Sequence, residues 1–273
     1  MVHAGSKNLS IQLRGCISSM FKPNPKGMVS VAVFAAVYAL LRMVPAFPII
    51  GVSGGAFTLA DALPPLYGII LGPRQGSSAV ITGTFISFLL GRPIMFLGLD
   101  FLPGTVNAVI TGTLSNRSKF IPTAIYTILL VFFLVHPYTV NFITVEFLGF
   151  EFRLFFTWMH SIALFLLASP ISHRAAEWVD GKPYSRAPLG IFLISLVGTM
   201  GQHLMGNLLY ENIIGVIKGT PASAFKPVWY AVFWIYPFER LALAALTTII
   251  GVPLLKLIGK HSSAAGRVSI KCS

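Results

Sequence analysis

Acidic side chains are scarce in this chain. Eight Asp and Glu stand against twenty Lys and Arg in 273 residues, and charged residues of both signs make up only 10%. Cysteine is nearly missing as well. Cys16 and Cys272 lie in opposite polar tails, which excludes a disulfide framework and a thiolate metal site. The six histidines, His3, His136, His160, His173, His203 and His261, form neither an H-x-x-x-H nor an HExxH set, so no metalloenzyme spacing is present. There is no G-x-x-x-x-G-K-[ST] phosphate loop; the nearest glycine-rich stretch, Gly72-Pro73-Arg74-Gln75-Gly76, lacks the lysine and the hydroxyl that would follow. No cofactor or metal is expected, and uphill transport by this chain would draw its energy from another protein.

Apolar residues fill the space that charge leaves. Hydrophobic residues make up 55% of the chain and the mean hydropathy is +0.79. Its apolar stretches reach the roughly 17–25 residues needed to cross a bilayer. The fold class expected is all-α, a polytopic transmembrane helical bundle. Apolar runs bounded by Pro, Gly and charge fall at 28–45, 57–72, 76–91, 101–115, 120–138, 153–171, 188–215 and 228–258, which gives about eight helices. Residues 1–27 and 259–273 read as basic tails around a membrane domain at 28–258. The first tail lacks the short apolar core and small-residue cleavage site of a signal peptide and is expected to be retained in the cytoplasm.

The net charge of +12 sits in these tails and in short loops beside apolar spans, a pattern that orients a membrane protein rather than binding nucleic acid. With the N-terminus inside, Lys7, Arg14, Lys22, Lys26, Arg74, Arg117, Lys119, Arg174, Lys182, Arg186, Lys256, Lys260, Arg267 and Lys271 share the cytoplasmic side. Arg92, Lys218 and Lys226 fall on the other. This asymmetry predicts both termini in the cytoplasm and an even number of crossings.

The first helix carries two overlapping small-xxx-small pairs, Ala32/Ala36 and Ala35/Ala39, a face suited to close approach of another helix. Next come an outer loop rich in Pro and Gly, from Pro45-Ala46-Phe47-Pro48 to Gly54-Gly55-Ala56, and Phe57-Thr58-Leu59-Ala60-Asp61. Gly68-Ile69-Ile70-Leu71-Gly72-Pro73 follow at a cytoplasmic turn, and Phe101-Leu102-Pro103-Gly104-Thr105 open a later helix. The closing segment holds Pro237-Phe238-Glu239-Arg240 and Gly251-Val252-Pro253-Leu254. In this order, over roughly 28–115 and 188–258, the chain resembles the substrate-binding S-components of energy-coupling factor (ECF) vitamin transporters.

The resemblance implies a core of six helices, with 116–187 as an inserted helical pair. It implies a non-enzymatic subunit that binds a vitamin or related small molecule in a pocket open to the outside. It also implies docking of the Ala32, Ala35, Ala36 and Ala39 face on a transmembrane coupling subunit that two ATPase subunits drive, with the substrate subunit toppling in membrane lipid to deliver its cargo.

Polar groups inside membrane helices mark candidate pockets. His203, Asn207, Tyr210 and Glu211 follow i, i+4, i+7, i+8 spacing on one helix, next to Gln202. They either clamp a ligand or bond between helices, with Tyr210 and Glu211 at the headgroup boundary. On the last helix Trp229, Phe233, Tyr236 and Arg240 share a face, where rings could stack on a flat ligand and Arg240 could hold a carboxylate or phosphate. Trp229 fits an interfacial aromatic belt better, Tyr236 a pocket. Glu239 and Arg240 fit an ion pair with another helix equally well. Asp61 caps its helix or touches ligand; Asn107, a buried amide that needs partners, is expected to bind the substrate along with His203, Asn207, Tyr236 and Arg240. Phe47, Gly54, Gly55, Phe57 and Asp61 form either a lid over the pocket mouth or an ordinary tight connection.

Three rival functions remain, of which a stand-alone secondary carrier lacks a charged relay along its helices. Gly51-Val52-Ser53-Gly54 matches a G-x-S-G string, with His203 as a conceivable base of an intramembrane protease, but Ser53 falls in a loop outside the helices. The stronger alternative is a non-enzymatic scaffold that keeps this fold inside a larger membrane complex.

Overall fold

The structure is a computed structural model that describes residues 25–51, 55–181 and 184–262. Cys16, Cys272, Ser53, Gly54, Lys182 and most of both basic tails lie outside the described residues. The chain folds as an all-α helical bundle with eight α-helices among the described residues and two small hairpins. Helix α1 (Pro25–Arg42) leads into strands β1 (Pro45–Pro48) and β2 (Ala56–Thr58), then a 3-10 turn at Leu59–Ala62 and α2 (Leu63–Leu89). Helices α3 (Leu102–Ser115) and α4 (Phe120–Val135) precede a second hairpin, β3 (Phe142–Phe147) and β4 (Phe150–Phe155). Then follow α5 (Trp158–Ala168), α6 (Pro170–Asp180), α7 (Ala187–Tyr210), which continues as a π-helical stretch over Glu211–Ile217, and α8 (Phe225–Ser262).

Helix α2 is two arms rather than one rod. Gly72 has φ +79° and ψ 172°, and Pro73 opens the next turn, where its missing N–H is not needed. A Cβ placed on Gly76 would stand 2.7 Å from the Tyr67 carbonyl oxygen, although nine residues of straight helix would separate these positions by about 13 Å. The chain therefore doubles back at Gly72, and arms 63–71 and 73–89 lie against each other. This is the turn expected at Gly68–Pro73, with the expected helices 57–72 and 76–91 as its arms.

Three helical stretches are long and apolar enough to cross a membrane: Pro25–Arg42, Tyr184–Ile217 and Ala222–Leu257. Phe120–Val135 and Trp158–Ala168 are shorter apolar helices. Their outward faces are bare hydrocarbon, as at Ile128, Val131, Phe132 and Val135 on α4, while Tyr126, Leu130 and Phe133 on its other side are buried. Such an apolar outside over an apolar inside suits a lipid solvent.

Helix α1 corrects one expectation. The two alanine pairs do not form a single open face. Ala35 and Ala39 are buried against the second arm of α2, where a Cβ on Gly83 would meet the Ala35 carbonyl oxygen at 2.6 Å. They are internal packing residues and are not available to a partner subunit. Ala32 and Ala36 are exposed, flanked by Val29, Val33 and Leu40.

Segment 116–187 holds more than a helical pair: α4, the β3–β4 hairpin, α5 and the amphipathic α6, all continuous with the main core through α7. Interior side chains form two clusters, one over α1 and α2 with Ala108 of α3 and a larger one over α3 to α8. The candidate site lies where they meet.

Candidate functional site

The end of the bundle remote from Gly72 gathers the C-terminus of α1, the loop after α2, the start of α3, the last turns of α7 and the first half of α8. A cavity of about 120 Å³ opens between them. Of the sequence candidates, Phe57, Asp61, His203, Asn207, Tyr236 and Arg240 line it, together with Gln202, Tyr210 and Trp229. Helices α7 and α8 supply most of these, because the spacings 203/207/210 and 229/236/240, each close to a whole number of turns, keep their residues on the inward face.

Strands β1 and β2 roof the cavity as an antiparallel hairpin. Ile49, Ala56 and Phe57 face the space, while Phe47 packs on the Phe57 ring at 5.3 Å between centroids and does not itself line it. Gly55 is buried and accepts the Ile49 amide at 2.9 Å. At the roof's far end Gly51, φ +82°, lies against Tyr210 and Val228, and the Tyr210 hydroxyl donates to its carbonyl at 3.4 Å.

Charged groups inside an apolar bundle are held in different ways. Asp61 closes a capping box, accepting the Thr58 amide (2.7 Å) and hydroxyl (3.0 Å) at Oδ2, while its Oδ1 accepts the Gln202 amide at 3.1 Å. It is thus both cap and wall. Asp100 accepts the backbone amides of Met95 and Phe96. Arg42 donates to Ser87 Oγ at 3.1 Å. Arg92 donates to the Arg42 and Ala56 carbonyls, which ties α1 to the roof. Burial first, and then the Arg42 charge, pushes the Arg92 guanidinium below its ordinary pKa.

Arg240 is fully buried. Its Nη2 lies 3.2 Å from Glu239 Oε2, so the ion pair forms with its own chain neighbour and not with another helix. Its Nε and Nη1 have no partner, and neither has Asn207 Nδ2. Buried donors in this state are rare in folded proteins.

Aromatic rings floor the cavity. Trp229 is 2% exposed and donates Nε1–H to the Tyr138 carbonyl at 2.8 Å, which corrects the expectation of an interfacial belt. The Tyr236 hydroxyl donates to the Phe156 carbonyl at 3.0 Å, at the β4–α5 junction, where that carbonyl has no helical partner. The ring of Tyr236, rather than its hydroxyl, is therefore what the cavity sees.

Two candidates sit elsewhere. Asn107 does not line the cavity; it lies behind the wall and donates Nδ2–H to Gln202 Oε1 at 2.7 Å, so that Gln202 is the middle link of an Asn107–Gln202–Asp61 chain across α3, α7 and the 3-10 turn that follows the roof. Glu211 turns away to Thr139 and His136, with Oε1 2.6 Å from the Thr139 hydroxyl. Sequence reasoning passed over Arg42, Arg92 and His160. The arginines end an apolar helix and follow a Gly turn, positions that read as ordinary interfacial charge, and His160 lies in the segment set aside as an insertion.

No protein-family model, curated protein or solved structure matches the chain.

Proposed function

We propose that this chain is a membrane-embedded substrate-capture subunit of the ECF S-component kind, which takes up a small molecule at the cavity under the β1–β2 roof. The observation that carries the proposal is a polar, arginine-bearing cavity at one end of an otherwise apolar bundle, with buried donors that no protein group satisfies. Its order of features along the chain, from the alanine-rich first helix through the Pro- and Gly-rich roof to the Pro-Phe-Glu-Arg segment, supports the same reading.

On this proposal the chain crosses the cell membrane several times with both termini in the cytoplasm, and the cavity faces outside. Basic residues fit that orientation: Arg74 follows the Gly72 turn, and Arg117 and Lys119 the end of α3, both remote from the roof. The subunit does no chemistry on its cargo. A transmembrane coupling subunit driven by two ATPase subunits supplies the energy, and the exposed Ala32/Ala36 side of α1 is the surface offered to the coupling subunit.

Native mass spectrometry of the purified subunit, with identification of any released molecule, tests this. A bound small molecule that is lost in an Asn207→Ala, Arg240→Ala double variant supports capture. An empty subunit that co-purifies with non-ATPase membrane proteins replaces capture with the scaffold reading.

A further inference from the structure

The hydrogen-bond census of the cavity wall is one-sided. Its carboxylates are already engaged: Asp61 by Thr58 and Gln202, Asp100 by two backbone amides, Glu239 by Arg240. Among the fully buried side-chain atoms of the wall, those without a partner are donors, Arg240 Nε and Nη1 and Asn207 Nδ2, on side chains 0% and 7% exposed.

His203 adds another donor once the ring behind it is considered. His160 Nε2 and His203 Nδ1 are 3.2 Å apart with ring planes 17° from parallel, so a single proton lies between them. His160 is fully buried and its Nδ1 has no partner. Were the shared proton on His203, neutral His160 would carry its own proton on Nδ1, leaving a buried N–H unbonded. With the shared proton on His160 Nε2, the unpartnered atom is a lone pair, the less unfavourable of the two. A charged imidazolium at either ring would add a cation beside Arg240 in the same dry layer. The pair therefore rests with His160 donating and His203 accepting at Nδ1. Neutral His203 then carries its proton on Nε2, on the ring edge away from His160, and His203 lines the cavity.

We propose that the cavity is a donor-rich receptor for a flat anionic ligand: Arg240 takes a carboxylate or phosphate, His203 Nε2–H and Asn207 Nδ2–H take ring acceptor atoms, and His160 is the positioning residue that fixes the His203 tautomer. Tyr236, Trp229 and Phe57 supply the ring surfaces against which such a ligand packs. The proposal rests on the capture reading above and narrows its cargo to molecules with acceptors on their rim and a negative charge. A site whose own donors are buried discriminates strongly against an analogue that brings another donor.

The test uses the full-length chain in nanodiscs and two independent readouts. Nitrogen-15 histidine spectra of the unliganded protein are expected to show His203 protonated at Nε2 and bare at Nδ1; a proton on His203 Nδ1 overturns the relay. Calorimetry then compares pyrazine-2-carboxylate, its carboxamide, benzoate and phenyl phosphate. The carboxylate is expected to bind at least about tenfold tighter than the amide, the loss of one charge-assisted hydrogen bond. Comparison with phenyl phosphate tells which anionic group Arg240 prefers.

In His160→Phe the preference for pyrazine-2-carboxylate over benzoate is expected to fall to the share that Asn207 Nδ2–H alone supplies, because His203 is then free to change tautomer. Equal binding of acid and amide, binding by none of the four, or a preference unchanged in His160→Phe overturns the proposal. Should these results hold while the chain fails to support uptake with ATPase-driven partners, the ligand class stands and the capture-subunit reading alone falls.

Discussion

The guanidinium carbon of Arg240 lies 4.8 Å from the centroid of the Phe57 ring, so the roof strand β2 and helix α8 meet at a cation held face-on by an aromatic ring. Such a contact contributes about 0.5–2 kcal/mol, more where water is excluded. It is one of the few links that hold the hairpin down, beside Arg92 on the Ala56 carbonyl and Tyr210 on Gly51. Phe57→Ala is expected to speed hydrogen exchange across 45–58 by about tenfold, in line with the loss of roughly 1.4 kcal/mol of local closure, and to leave exchange in α4 unchanged. Exchange measured by mass spectrometry that stays the same in the hairpin would show that the roof is held by its own strand pairing.

Arg240 also predicts a conflict between stability and binding. Two of its donors are buried without partners, and its ion pair to Glu239 joins adjacent residues, 14% exposed on the carboxylate side. Replacing both members of a buried ion pair by uncharged side chains is often neutral or stabilising, whereas removing one partner strands the other charge. A Glu239→Gln, Arg240→Met double variant is expected to keep or raise the melting temperature of the unliganded protein while it abolishes retention of a bound anion. A melting temperature lowered by more than several degrees would make Arg240 a structural residue first.

How far the sequence carried these conclusions varies from element to element. The 203/207/210 spacing was legible because helical periodicity alone puts those residues on one face. Glu211 was not, since an i+8 position is turned by about 80° from the first residue, enough to reach Thr139 instead. The same geometry divides the alanine pairs on α1: Ala32 and Ala35 are about 60° apart, so one pair can pack inward on Gly83 while the other stays outside. Asn107 was expected to meet a ligand because a buried amide needs a partner, and no periodicity could say that its partner was Gln202, 95 residues away.

The β3–β4 hairpin and α6 were missed for a different reason. Phe142–Phe147 alternates by two, yet its turn is Leu148-Gly149 with φ of 53° and 80°, where Asn-Gly is the recognisable signal. Helix α6 is short and amphipathic, between runs that hydropathy picks out more strongly.

Gly51 offers a test of the roof from its other end. Its φ of +82° is unfavourable for any residue with a Cβ, and that Cβ would fall within 2.9 Å of a Val228 methyl and against the Tyr210 hydroxyl. Gly51→Ala is expected to cost about 1–3 kcal/mol locally and to lift the hairpin from α7 and α8 rather than unfold the bundle. Limited proteolysis should then show a new cut within 45–58 while the helical core stays intact. An uncut hairpin would mean that Val228 and Tyr210 give way instead.

Ala35 and Ala36 are neighbours in the chain with opposite surroundings, and substituting each in turn separates folding from assembly. Ala35 is 0% exposed, with its backbone pressed on Gly83, so Ala35→Leu inserts methyl groups where none fit and is expected to cost about 1–3 kcal/mol or more. Ala36 is exposed, and Ala36→Leu should leave the melting temperature of the isolated subunit unchanged. If the outer side of α1 is where a coupling subunit seats, Ala36→Leu should nevertheless lower co-purification with that subunit, because helices in lipid associate through close backbone approach that a larger side chain prevents. Co-purification equal to the unsubstituted protein would move the docking surface to another helix.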